Sequence, residues 1–372
     1  MITEITVADG AERLRDQFAA HFERTDEFQE LGAGLAVYRN GAKLVDLFGG
    51  YMDTAREKPW RATTLVNIWS ASKGVMALAI AQLVDKNILS YDAPVSTWWP
   101  DFAQNGKRAI TLAQVMSHRA GLNGFAEPTA PEDLYDWDLI TDRLARQAPL
   151  WPPGSTASYH GMTFGWLTGE IIRRSTGQTP RDYIRQHVAE PLGADLHLGV
   201  PPERIDDVAD IVPPLPDHSP VQLNEIARFT VENPTPNAAA ANESKWRFAQ
   251  IPAVNIHATA DGLARVYGAL ANGGVFEDRE LISRNGISAM ITPRGEPMDE
   301  MLGPRQWAAG VALNSGGLYG DSPEAFGHSG WGGSFGFADP RTSRGVAYVV
   351  NRMGSALNGD PRARTLAALA EQ

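Results

Sequence analysis

The chain has 372 residues, 43% of them hydrophobic, which is enough to bury a large core and to build two subdomains without requiring separate folding units. Its 44 acidic residues outweigh 33 basic ones for a formal charge of -11, which argues against a nucleic-acid or anionic-membrane partner. The absence of cysteine removes disulfides, thiolate catalysis and cysteine metal sites together.

At the N-terminus, residues 1–5 have neither the basic region nor the apolar run of a signal peptide, and no stretch reaches the length of a membrane span. A cytoplasmic protein is therefore expected. Apolar runs at 35–38 and 44–48 flank Arg39-Asn40-Gly41, a pattern that predicts two strands joined as a hairpin. Next comes Ser70-Ala71-Ser72-Lys73. Met76, Ala79, Ile80 and Leu83 follow at spacings of three, four and seven, predicting an amphipathic helix that opens with Ser70 and Lys73 side by side. A lysine held among apolar groups loses hydration of its charged form, so its pKa falls and a neutral amine becomes available to take the serine proton. The helix N-terminus also favours negative charge developing near Ser70. This combination points to acyl transfer through a covalent intermediate.

Further along, residues 166–172 read as helix, as does the run holding Leu263, Val266, Tyr267 and Leu270, which Gly273-Gly274 ends. The proline-rich stretches 211–216 and 233–237 predict loops over the insertion, read either as shaping the acyl pocket or, in preference, as irregular surface connections. Strands are expected from 307–313 through to Val350, with a turn at Asp339-Pro340-Arg341. The expected architecture is α+β. An antiparallel sheet assembled from the two chain ends is flanked by helices, with residues 1–88 and 251–372 forming an α/β subdomain and 89–250 an inserted, mainly helical one. The eight histidines show no His-Glu-x-x-His pattern, so no metal site is expected. The glycine cluster at 327–336 leads into a strand instead of opening a helix after one, which disfavours a dinucleotide cradle, and no cofactor is implied.

Two more segments stand in order behind Ser70-x-x-Lys73: Pro-Gly-Ser-Thr-Ala-Ser-Tyr-His-Gly at 153–161 and Gly-His-Ser-Gly-Trp-Gly-Gly-Ser-Phe-Gly at 327–336. The set resembles the serine β-lactamase and penicillin-binding-protein superfamily, whose Ser-x-x-Lys, Tyr-x-Asn or Ser-x-Asn, and Lys-Thr-Gly elements line one acyl-transfer site. On the class C β-lactamase side of that superfamily, nearly the whole chain is similar to the family VIII carboxylesterases. Residues 112–122 resemble that family's "LLSHTSGL" loop.

The resemblance implies a β-lactamase/transpeptidase-like fold, a small-molecule ester as substrate, and a catalytic set of Ser70, Lys73 and Tyr159. Ser70 would attack the ester carbonyl, Lys73 and Tyr159 would take up and redistribute its proton, and Tyr159 would hand one to the departing alcohol. The oxyanion donors would be the backbone amides of Ser70 and Trp331. If Trp331-Gly332-Gly333 is the true counterpart of Lys-Thr-Gly, the second donor shifts a few residues onward. Tyr159 also reads as a packed core tyrosine, His328 as a structural histidine bonding the adjacent strand, and Trp331 as a hairpin packing feature.

Two departures bear on substrate. Gly161 stands where the pattern has asparagine, removing a hydrogen-bonding side chain. His328-Ser329-Gly330 stands where it has Lys-Thr-Gly, replacing a permanent cation by a group mostly neutral at pH 7. With Gly161, His328 and Gly330 at substrate-binding positions, neutral esters are favoured over penicillins or D-alanyl peptides, with weak β-lactam hydrolysis compatible. A β-lactamase or D-alanyl peptidase, an acyltransferase and a catalytically silent binding protein are the competing readings. The sequence leaves oligomeric state open.

Overall fold

The computed structural model describes residues 2–215, 223–355 and 359–370. Pro216, the last residue of the first proline-rich stretch, lies outside them. A seven-stranded antiparallel sheet is built from both chain ends: β1 (Ile2–Val7), β2 (Gly32–Arg39), β3 (Ala42–Gly50), β4 (Ala312–Leu313), β5 (Phe326–Ser329), β6 (Phe335–Asp339) and β7 (Arg344–Val350). Their spatial order is β1-β3-β2-β7-β6-β5-β4. The chain ends meet where β2 pairs with β7, with Ala36 opposite Ala347. The β2–β3 turn puts Asn40 and Gly41 at φ 51° and 77°, the left-handed pair that matches the twist of a tight hairpin.

Alternation along the central strands divides the core into two layers. Leu35 and Val37 of β2 and Tyr348 and Val350 of β7 pack with Leu14 and Phe18 of α1 (Glu12–Phe22) and Leu366 of α5 (Pro361–Ala370). On the opposite face, Ala36, Tyr38, Ala347 and Val349 join the larger cluster that includes α2 (Ser72–Asp85), α3 (Thr163–Thr176) and α4 (Ala260–Ala271). Leu263, Val266, Tyr267 and Leu270 of α4 lie in that cluster, as their spacing predicts.

Several expectations change. The helix after Ser70 is not amphipathic: from Ser72 to Leu83 every residue is buried, because sheet and neighbouring helices enclose it on all sides. Ser70 lies outside α2, in the tight turn Trp69–Ala71 that leads into it. The strand expected at 307–313 shrinks to β4. Gly310 at φ 80° folds the run back so that Trp307 bridges to Ala312. Within 89–250, Leu196–Leu198 is a strand and pairs with Ile256–Ala258, which also pairs with Val66–Asn67. Among the described residues, no helix is long and apolar enough to cross a membrane.

Candidate active site

Ser70 is held by its neighbours. Trp69 adopts φ 51°, a left-handed conformation costly for a bulky residue, and its ring is clamped at 5.6 Å from Trp246 and 5.2 Å from Trp331. One turn on, the Ser72 hydroxyl accepts from Ile256 N at 3.1 Å, pinning the start of α2 to the small sheet.

Lys73 is wholly buried. Its Nζ lies 3.1 Å from Ser70 Oγ, 2.7 Å from the Gly161 carbonyl and 3.2 Å from the Ala253 carbonyl. Burial drives its pKa well below the ordinary lysine value. Three oxygens thus surround Nζ: an ammonium would donate to all of them, and once deprotonated the amine would donate to the two carbonyls and turn its lone pair to the Ser70 hydroxyl. The Nζ also sits 4.7 Å from the centre of the Tyr159 ring.

Tyr159 shares a side-chain hydrogen bond with Ser70, and burial pushes its phenol far above the ordinary tyrosine value. The phenol therefore carries its proton. Its ring stacks on Trp307 at 5.8 Å and 11°, with His118 edge-on at 4.9 Å. Behind this stack is Asp299. Its Oδ1 accepts from Tyr159 N at 3.3 Å, Met301 N at 2.9 Å and Leu302 N at 3.0 Å, and its Oδ2 accepts from Trp307 Nε1 at 2.9 Å. Thr230 Oγ1 donates to the Tyr159 carbonyl at 2.8 Å. A Cβ on Gly161 would lie 2.9 Å from Thr230 Cγ2, so Thr230 occupies the space that an asparagine at 161 would need.

His328 is buried on β5. Burial lowers its pKa to about 3, so it is neutral at ordinary pH. Nδ1 meets the carbonyl of the next residue, Ser329, at 2.8 Å, not the adjacent strand. Gly330 passes close to the chain before Ser70, and a Cβ there would fall 2.3 Å from Ile68 O. Trp331 follows beside Ser70. Gly332 and Gly333 turn away from it: Gly332 O accepts from the buried Arg362 Nη2 at 3.0 Å, and a Cβ on Gly333 would meet Asp360 and Arg362. This favours Trp331 over the onward shift as the residue beside the reacting carbon.

Two chambers open from Ser70, Tyr159 and Trp331. The smaller, about 50 Å³, is walled by Arg305, Trp307, Tyr319 and His328 among others. The larger, about 560 Å³, is lined by Trp69, Met162, Trp246, Val254 and the segment Pro234 to Asn237. That second proline-rich stretch thus forms a wall of the site and not merely a surface connection. Ser70, Lys73, Tyr159, Gly161, His328, Gly330 and Trp331 are all brought together. Sequence reasoning missed Asp299, Arg305 and Trp307, which carry no motif; only the density of tryptophan hinted at aromatic walls.

A sequence model of the Beta-lactamase family matches residues 18–371, and the chain belongs to this family. It is 37% identical over 340 residues to "Esterase/beta-lactamase LipL" of Mycobacterium tuberculosis, covering 88% of this chain and 78% of the relative. A crystal structure described as that of a family VIII carboxylesterase superposes with TM-score 0.94 at 38% identity, covering 100% of this chain and 99% of the other. A penicillin-binding-protein homologue from Caulobacter crescentus does so with TM-score 0.93 at 42% identity and the same coverage. The β-lactamase/transpeptidase-like fold expected from the motifs is the fold of the chain.

Proposed function

We propose that the chain is a serine hydrolase acting on carboxylic esters of small molecules through an acyl-enzyme on Ser70. The observation that carries this reading is the Lys73 amine, wholly buried 3.1 Å from Ser70 Oγ, where burial drives its pKa well below the ordinary lysine value. The proposed cycle follows from the charges at the site. Lys73 takes the Ser70 proton as Oγ bonds to the ester carbon, and the carbonyl oxygen becomes an anion facing the backbone amides of Ser70 and Trp331. Tyr159, a neutral phenol in contact with Ser70, passes a proton to the alkoxide as the carbon–oxygen bond breaks and recovers one from Lys73. Water enters where the alcohol left and bonds to the acyl carbon, its proton passing through the same pair to Ser70 Oγ as the acyl–Oγ bond breaks and the acid is released. In this scheme Lys73 is the base and Tyr159 the acid, a sharper division than a shared role. His328 and Gly330 wall the substrate chamber, and Gly161 contributes its carbonyl to Lys73 and not a substrate hydrogen bond.

The similarity to a family VIII carboxylesterase and to an esterase/β-lactamase supports the ester reading. One observation favours a second reading, hydrolysis of β-lactams. Arg305 lines the small chamber, so the permanent cation lost at His328 has a counterpart nearby. Residues 1–88 with 251–372, and 89–250, are proposed as the two subdomains, supported by the position of all seven main-sheet strands outside 89–250. A cytoplasmic location is proposed, and the net charge of -11 disfavours association with anionic surfaces.

The test is intact-protein mass spectrometry after brief exposure to a fluorophosphonate, with turnover of p-nitrophenyl butyrate and nitrocefin followed in parallel. A Ser70 adduct that is absent in Ser70→Ala, with ester turnover far above nitrocefin turnover, is expected. A folded Ser70→Ala variant with full ester turnover would refute the mechanism, and nitrocefin preference would promote the β-lactam reading.

A further inference from the structure

A tetrahedral carbon on Ser70 carries Oγ, the oxyanion, the acyl substituent and the alkoxy group. The last two must leave the reaction centre in different directions. The structure offers two directions of very different capacity, about 50 Å³ on one side and about 560 Å³ on the other. We propose that this chain selects esters with strongly unequal arms, one of at most about four non-hydrogen atoms and the other a bulky apolar group, aromatic or branched. The proposal rests on the ester-hydrolase reading above.

The size limit follows from volume. A water-sized group needs about 10–15 Å³ of such space, so the small chamber of about 50 Å³ holds roughly four. Its walls are fixed by packing. The Trp307 ring is tied to Asp299 at 2.9 Å and stacked on Tyr159 at 5.8 Å. His328 stacks on Trp307 at 5.8 Å and is held by Ser329 O. Ala312 sits on β4, in register with Gly327 of β5. A larger group would have to displace the ring that orients Tyr159.

The large chamber has the capacity of a small-molecule site, for which about 300–1,000 Å³ is usual. Leu134, Trp69, Trp246, Met162 and Val254 give it apolar walls. Its charged lining groups are Lys245 and two carboxylates, with Lys245 Nζ 3.5 Å from Glu132 and 3.2 Å from Glu243. All three side chains are exposed, so water screens the one carboxylate left in excess, and the enclosed part of the chamber is apolar. The chemistry selected there is a bulky hydrocarbon or aromatic group.

The experiment measures kcat/KM of the full chain on 2-naphthyl acetate, methyl 2-naphthoate and 2-naphthyl benzoate, each divided by the ester's hydroxide-catalysed rate to remove intrinsic reactivity. At least one unequal ester is expected to exceed the doubly bulky one by about 100-fold, and which one it is identifies the arm in the small chamber. Ala312→Leu, which fills that chamber, should lower turnover of the favoured ester about tenfold, and Leu302→Ala, which widens it, should raise 2-naphthyl benzoate turnover about tenfold. Equal normalised rates on all three esters, or a ratio unmoved in both folded variants, overturns the proposal. Fluorophosphonate labelling separates the two levels. A labelled, ester-hydrolysing protein that fails the size test overturns only the unequal-arm proposal, whereas absence of both label and ester turnover overturns the hydrolase reading with it.

Discussion

Replacing Asp299 by asparagine isolates the device that holds Tyr159. The side chain is 1% exposed and accepts four N–H groups. Asparagine keeps the shape and, oriented with its oxygen toward Tyr159 N, Met301 N and Leu302 N, retains three acceptances. Its NH2 then faces the Trp307 indole N–H across what was a 2.9 Å hydrogen bond, donor against donor. The opposite orientation opposes three donors and is worse. Losing one hydrogen bond to a charged acceptor and weakening three more costs about 3 kcal/mol. Trp307, no longer anchored, ceases to fix the Tyr159 ring, so kcat should fall about tenfold while KM changes little, the signature of lost transition-state positioning. Urea unfolding at pH 7 reads the first quantity. Ester kinetics, at a temperature where both proteins are folded, read the second. Stability within about 0.5 kcal/mol of the parent, together with unchanged kcat, would refute the assignment of Asp299 as a positioning residue.

Acid should destabilise the fold early. Burial lowers the pKa of His21 and His160 to about 4 and of His257 and His328 to about 3, so each is neutral when folded and ordinary when unfolded. Their contribution is fully present above pH 6.5 and is lost as pH falls toward 4, because the unfolded chain binds the protons first. Each adds about 1.4 kcal/mol per pH unit within that window. Urea midpoints at pH 7, 6 and 5 should drop steeply, and a flat series would contradict neutral burial of these rings. Gly330→Ala should destabilise by about 2 kcal/mol or more, since its Cβ would press the backbone oxygen of Ile68 at 2.3 Å, and should slow Ser70 labelling; thermal unfolding and adduct formation measure both. Gly161→Asn should lower ester turnover about tenfold by displacing Thr230 from the Tyr159 carbonyl, and adding Thr230→Ser, which removes Cγ2 but keeps Oγ1, should recover most of the loss. A double variant as slow as Gly161→Asn alone would show that the steric account is mistaken.

The chemistry-bearing residues were legible because their signals are local or ordered along the chain. Ser70 and Lys73 are three residues apart, and one helical turn makes them neighbours wherever the helix sits. The Asn40-Gly41 hairpin and the spacing of Leu263, Val266, Tyr267 and Leu270 are likewise properties of short segments, which backbone sterics and periodicity determine. The edge strand β1 and the helices α1 and α5 lacked such signals and gain their stability from the sheet they cover. The fully buried α2 was misread as amphipathic, because nothing in its own spacing says how many neighbours enclose it.

What the sequence by itself determined was the juxtaposition of the Ser70 hydroxyl with the Lys73 amine and the α+β frame that brings the two chain ends into one sheet. What only the tertiary structure decided is the state of those groups. The Lys73 pKa falls because β-sheet, helices and the 251–255 segment together exclude water from the amine, a sum over contacts distant in sequence. Tyr159 remains a phenol for the same reason. Asp299 and Trp307 come from a motif-free stretch that reaches Tyr159 across 140 and more positions of chain, and the unequal chambers arise from how those walls close. Dielectric environment and cavity shape are collective properties of packing, and no local pattern of residue types encodes them.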